Sequence, residues 1–213
     1  MTYKAKKHYQ NKDVAENYYG KRFRSFKGRF DHFLEKSFLQ RSLQSVKIKS
    51  ALDVACGTGR MTKELLLLGI PSIVGSDISQ EMLDNAKRYC KIDKYSPEFK
   101  QGDATNLPLE DKSFDLVISF RFLDHLPEDE KRKALSEMAR VSKRYLLFSM
   151  ANTNFWTNLT RVLRKLIKKD SYEGYLVTES DILKFLDEQK IKVLRQKLKM
   201  PLLSMETIYF CEV

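Results

Sequence analysis

Two glycines two positions apart, Gly57 and Gly59, follow an aspartate in the stretch DVACGTGR, Asp53 to Arg60. The chain has only eight glycines in 213 residues, so the pair marks a turn that either folds tightly or brings its backbone close to a ligand. Two more aspartates fall in register downstream. Asp77 stands 18 residues after Gly59, near the spacing at which a carboxylate grips both ribose hydroxyls of an adenine nucleoside. Asp103, in QGDA, is positioned to accept from an adenine amino group. Each has a plainer reading, Asp77 as a helix cap and Asp103 as a turn residue. No Lys-Ser or Lys-Thr follows the glycines, so the loop is not a Walker phosphate cradle. A loop led by a carboxylate suits a cationic amine or sulfonium better than a pyrophosphate.

These residues need a scaffold that brings strand ends together. From residue 50 onward, short apolar runs alternate with charged helical stretches. ALDVA runs into the glycine loop, and a helix over Met61 to Leu68 closes at Gly69 and Pro71. SIVGSDI is the next strand, followed by a helix from Ser79, its N-cap, to Cys90. PEFKQGDA and FDLVISF hold a third and a fourth strand; a helix over Asp129 to Val141 and the strand RYLLFSM follow. The alternation predicts a mostly parallel sheet with helices on both faces. Thr178 to Gln189 reads as a helix capped by Thr178 and Asp181. Ile191 to Lys199 and Ser204 to Val213 read as consecutive strands, which must be antiparallel if they pair. Before residue 50, Val14 to Phe23 and Arg29 to Ser45 read as helices, the second with Phe30, Phe33, Leu34, Phe38 and Leu39 near one face.

LDVACGTGR, VGSDIS, QGDATNLPLEDKSFDLVIS and FLDHLPEDE together resemble the successive motifs of class I S-adenosylmethionine-dependent methyltransferases of the small-molecule type. The resemblance is dense over residues 50–150 and weaker outside. It implies an α/β, Rossmann-like, doubly wound sheet of seven strands, mostly parallel with an antiparallel C-terminal hairpin. It implies S-adenosylmethionine as cofactor, with Asp53, Gly57 and Gly59 at the methionine portion, Asp77 at the ribose, and Asp103 and the Ala104 N–H at the adenine. Ala55 stands where the family often has glycine, and Ala55, Ile78, Met82 and Phe120 are assigned to the same cofactor wall. AENYYGKRF resembles the family's lid segment, with Tyr19 and Arg22 over the cofactor; alternatively Tyr18, Tyr19 and Phe23 only pack that helix. One domain over 1–213 is expected: a helical lid segment at 1–49, a cofactor-binding core at 50–150, and acceptor-side helices with the hairpin at 151–213.

On the acceptor side, SFRFLDHLPE follows the fourth strand, and His125 is the candidate general base, with Asp124 beside it. The competing reading has His125 packing near the cofactor and orienting its loop. The absence of an Asp-Pro-Pro-Tyr or Asn-Pro-Pro-Tyr stretch after that strand argues against methylation of exocyclic base nitrogens or glutamine amides. Phe155 to Lys168 reads as a basic amphipathic helix, an acceptor-pocket cover or a peripheral membrane contact.

Charge separates the remaining function classes. The net charge is +11, and residues 1–50 carry nine Lys and four Arg against four acids. Such a segment attracts nucleic acid, anionic lipid or an anionic substrate, or is merely a solvated face. The preferred acceptor is a small molecule methylated on O, N or C. The alternatives are an RNA methyltransferase using the basic segment and a non-catalytic S-adenosylmethionine-binding protein; the absence of a separate RNA-binding module disfavours nucleic acid. No apolar run approaches the ~20 residues that span a bilayer. MTYKAKKHYQNKD lacks the apolar core of a secretory signal. Cys56, Cys90 and Cys211 have no metal-ligand spacing, so no metal is expected, and reduced thiols in the cytoplasm are the simplest reading.

Overall fold

In the central strands successive side chains point to opposite faces of the sheet, and here both sets are apolar. Leu52, Val117, Leu146 and Tyr209 pack into one buried cluster, while their neighbours Ala51, Leu116, Leu147 and Phe210 pack into another. Strands buried on both sides need helices on both sides. The computed structural model describes residues 25–91, 96–153, 175, 177–198 and 206–213. In chain order these form α1 (Phe26–Leu43), β1 (Ser50–Val54), α2 (Arg60–Leu67), β2 (Ser72–Asp77), α3 (Gln80–Tyr89), β3 (Glu98–Gln101) and β4 (Phe114–Ser119). A single 3-10 turn (Leu123–His125), α4 (Glu128–Val141), β5 (Ser142–Thr153), β6 (Val177–Thr178), α5 (Glu179–Glu188), β7 (Lys192–Leu198) and β8 (Glu206–Glu212) follow.

The main sheet runs β3-β2-β1-β4-β5-β8-β7, seven strands, and two-residue β6 pairs with the end of β5. β1 to β5 are mutually parallel; β8 pairs antiparallel with both β5 and β7. The Rossmann-like sheet and its antiparallel C-terminal hairpin are therefore as expected. Strand order reverses at β1, which pairs with β2 on one side and β4 on the other. The crevice outside the carboxyl ends of these strands is where such sheets bind ligands.

The helix caps are those read from the sequence. Ser79 caps α3 by accepting from the Met82 N–H at 3.3 Å. Thr178 caps α5 by accepting from the Asp181 N–H at 3.2 Å. Helix α1 departs from expectation in its orientation. Phe38 and Leu39 are buried, but Phe30 and Phe33 face outward at 40% and 60% exposure. Asp31, Glu35 and Ser42 occupy the inner face with Phe38 and Leu39. The physical reason lies in what the helix meets, two guanidinium groups that require carboxylates once desolvated. The helices expected at Val14 to Phe23 and Phe155 to Lys168 lie outside the described residues.

Candidate active site

The glycine loop combines two different demands. Ala55, Gly57 and Gly59 have φ of 55°, 55° and 78°, so three alternating residues are left-handed, a conformation that disfavours a Cβ. A Cβ on Gly57 would meet no protein atom within 4 Å, and Gly57 stands on a cavity wall. A Cβ on Gly59 would lie 2.7 Å from Cys90 Sγ and 3.0 Å from Ala86 Cβ. Gly57 thus leaves room for a ligand, whereas Gly59 lets α2 begin against α3. The Cys56 N–H donates to the Ser76 carbonyl at 3.0 Å, and the Gly59 N–H donates to the Cys56 carbonyl at 3.0 Å, which fixes the turn.

Three carboxylates stand at the ends of β1, β2 and β3. Asp53 is 2% exposed and accepts from the Thr62 hydroxyl at 2.6 Å. Burial raises its pKa to about 7, against the opposing pull of Thr62 and the Arg60 charge. Asp77 accepts from the Gly57 N–H through Oδ2 at 2.8 Å and from the Ser79 N–H through Oδ1 at 3.0 Å. Burial raises its pKa too, while the Ser79 and Gly57 N–H groups pull it down. Asp77 therefore ties β2 to the glycine loop, and its remaining lone pairs give it capacity for further donors. Asp103 Oδ1 accepts from the Thr105 N–H at 3.0 Å and the Thr105 hydroxyl at 2.7 Å, closing the turn after β3.

These groups line one cavity of about 1010 Å³, counting its open mouth. Its wall includes Asp53, Ala55, Gly57, Asp77, Ile78, Met82, Asp103, Ala104, Phe120 and His125 from the expected set. Gly59 lies off the wall, and Tyr19 and Arg22 lie outside the described residues. Cys56 is also on the wall; burial pushes its thiol well above the usual range, which leaves it protonated and inert. His125 is half-buried in the turn after β4, its N–H donating to the Phe122 carbonyl at 2.9 Å. Its neighbour Asp124 accepts from the Ala151 N–H through Oδ1 and from the Tyr175 N–H through its carbonyl, so it anchors that turn to β5.

The sequence reading missed two cations of the wall, Arg60 and Arg121. Glu35, fully buried on α1, lies between them: Oε2 is 2.6 Å from Arg60 Nη1 and Oε1 is 2.6 Å from Arg121 Nε. Asp31 adds its carboxylate 3.8 Å from Arg121 Nη2. His32 meets Arg60 through Nδ1 and Glu64 through Nε2 at 3.3 Å. One side of the cavity is thus braced by an ionic cluster reaching from α1. The visible signal was Asp31 and Glu35, four residues apart, two of only four acids in a strongly basic segment.

Residues 51–144 match the family model described as methyltransferase domain. Over 116 residues the chain is 34% identical to demethylmenaquinone methyltransferase of Lactobacillus johnsonii, covering 51% of this chain and 47% of that protein. The chain spans about half the length of the demethylmenaquinone methyltransferases it matches. Among solved structures it resembles magnesium protoporphyrin IX methyltransferase of Synechocystis, crystallised with bound S-adenosylhomocysteine (TM-score 0.75, 20% identity, 95% of this chain and 99% of that one). An S-adenosylmethionine-dependent methyltransferase of Clostridium acetobutylicum is equally similar in fold (TM-score 0.75, 17% identity, 93% and 98% covered). The glycine loop, the strand-end carboxylates, the strand order and these likenesses converge: residues 51–144 match a methyltransferase domain, and the chain has the fold of the S-adenosylmethionine-dependent methyltransferases to which it is similar.

Proposed function

We propose that this protein transfers the methyl group of S-adenosylmethionine to a nucleophilic O, N or C atom of a small lipophilic acceptor. The observation that carries the reading is the set of three carboxylates at successive strand ends around the open side of Gly57. The donors and acceptors present fit such a cofactor. Asp53 in its ionised form offers a buried negative charge to the cationic methionine portion. Asp77 accepts from the ribose hydroxyls, and Asp103 with the Ala104 N–H recognises the adenine edge. Ile78, Met82 and Phe120 supply the apolar wall on which a flat base packs. The chemistry supplied when S-adenosylmethionine is bound is an electrophilic methyl group on a sulfonium, open to in-line displacement.

This chain's own task is to align the acceptor, exclude water and remove a proton where the nucleophile carries one. His125 is the group of the wall suited to take that proton, and Phe122, whose carbonyl accepts from the His125 backbone N–H, lines the same cavity. Its apolar surface supports a lipophilic acceptor, in keeping with the quinone and porphyrin substrates in the names of the relatives above. A reducing, cytoplasmic setting fits three free and buried thiols. Among the described residues no helix is long and apolar enough to cross a membrane.

The test is transfer of a labelled methyl group from S-adenosylmethionine to a lipid-extracted metabolite pool, to a demethylated quinol, to a porphyrin carboxylate and to total RNA. Label entering the organic phase, lost in Asp77→Ala and reduced in His125→Gln, is the expected result. Label entering RNA alone, or cofactor binding with no transfer to any pool, would overturn the reading.

A further inference from the structure

Helix α1 carries its charges in an arrangement that singles out its outer face. Its only carboxylates, Asp31 and Glu35, are both buried against Arg121 and Arg60. Opposite them, Phe26, Phe30 and Phe33 form one ridge at i, i+4 and i+7, with exposures of 84%, 40% and 60%. Arg29 and Arg41 are exposed on the same helix, and Lys47 and Lys49 are exposed just beyond it. No acid of α1 tempers these cations on the outside. Scattered exposed hydrophobic residues are ordinary, but three large ones in line on one helix face mark a contact surface.

We propose that this face of α1 seats the protein on an anionic lipid surface, with the phenylalanine ridge entering the headgroup boundary and the flanking cations meeting lipid phosphates. Apolar residues backed by Lys and Arg on a helix lying in the interface plane are the features such binding requires. Nucleic acid fits less well, because a single strand is held in a cationic groove that tracks its backbone, whereas these phenylalanines stand on the outer face of one helix. A second copy packed about a two-fold axis would bring the same cations together without acids to offset them. The surface itself does not depend on the methyl-transfer reading. If both hold, it brings the cavity braced by Glu35 to an acceptor dissolved in the membrane.

The test is co-sedimentation of the full chain with vesicles of phosphatidylcholine alone and of phosphatidylcholine mixed with phosphatidylglycerol. Binding to the mixed vesicles only, weakening as salt rises, is expected. Phe26→Ser with Phe30→Ser and Phe33→Ser should lower that binding about tenfold or more, and Arg29→Glu with Arg41→Glu should do the same. Both variants should keep the helical circular dichroism and the S-adenosylhomocysteine affinity measured without vesicles; that affinity tests the cofactor reading separately. Equal binding by wild type and the serine variant would overturn the proposal, as would equal binding to neutral and anionic vesicles. So would serine substitutions that abolish self-association or RNA binding while leaving vesicle binding intact.

Discussion

Helix α3 buries Met82, Leu83 and Ala86 and turns Gln80, Asp84, Lys87 and Arg88 to solvent. Helix α1 buries Asp31 and Glu35 beside Phe38 and Leu39 and turns Phe26, Phe30 and Phe33 outward. The two differ because they pack on different chemistry. α3 lies against β2 and β3, where an apolar stripe gains most from burial. α1 lies against Arg60 and Arg121, and an unpaired buried guanidinium costs more than an exposed phenylalanine. The inner face of a helix is therefore set by the surface receiving it, and apolar periodicity is a guide only where that surface is apolar.

Glu35→Leu separates the two helices most sharply. A rule of periodicity alone would make it stabilising, since it puts an apolar residue on a buried face. We expect instead a loss of about 3–5 kcal/mol in urea unfolding, because two buried guanidinium groups lose the carboxylate between them. A gain in stability would break the contrast with α3.

A second test compares two buried carboxylates. Glu35 has two guanidinium partners, whereas Asp53 relies on the Thr62 hydroxyl and has a pKa raised to about 7. A carboxyl group raised above its ordinary value contributes stability below the unfolded-state pKa, and that contribution fades as pH rises through about 7. The unligated protein should accordingly lose a few kcal/mol of stability between about pH 4 and pH 8 from this group. Asp53→Asn should flatten that slope in denaturation measured across the range. An unchanged slope would show that Asp53 does not titrate in this window.

The smallest expected effect is on the outer face of α1. Phe33→Ser should change stability by no more than about 0.5 kcal/mol, whereas Phe38→Ala, on the buried face, should cost about 3–5 kcal/mol. Comparable losses at both positions, read from urea midpoints, would show that Phe33 is packed after all.

What could be read from the sequence follows the same division. Strands β1, β2, β4 and β5 were legible because each holds a short apolar run, and α3 because Ser79 caps a helix whose apolar spacing is regular. The three strand-end aspartates were legible because their spacing is fixed by the alternation of strand and helix. Gly57 and Gly59 could not be told apart, since the nearest atom that excludes a side chain at Gly59 belongs to Cys90, 31 residues on and beyond α2, β2 and α3. The orientation of α1 was hidden for a similar reason: Glu35 and its partner Arg121 are 86 residues apart. Nothing local in SFRF announces that Arg121 takes a φ of 56° and turns into an ionic cluster.

The cavity built on Asp53, Gly57, Asp77 and Asp103 is expected to bind S-adenosylmethionine. Isothermal titration of the full chain with S-adenosylmethionine, S-adenosylhomocysteine and NAD tests it most directly, with Asp77→Ala alongside. One-to-one binding of the first two is expected, with none of NAD and a loss of about ten- to a hundredfold in the variant, because hydrogen bonds to a charged acceptor disappear. Heat from NAD alone, or an affinity unchanged by Asp77→Ala, would contradict it.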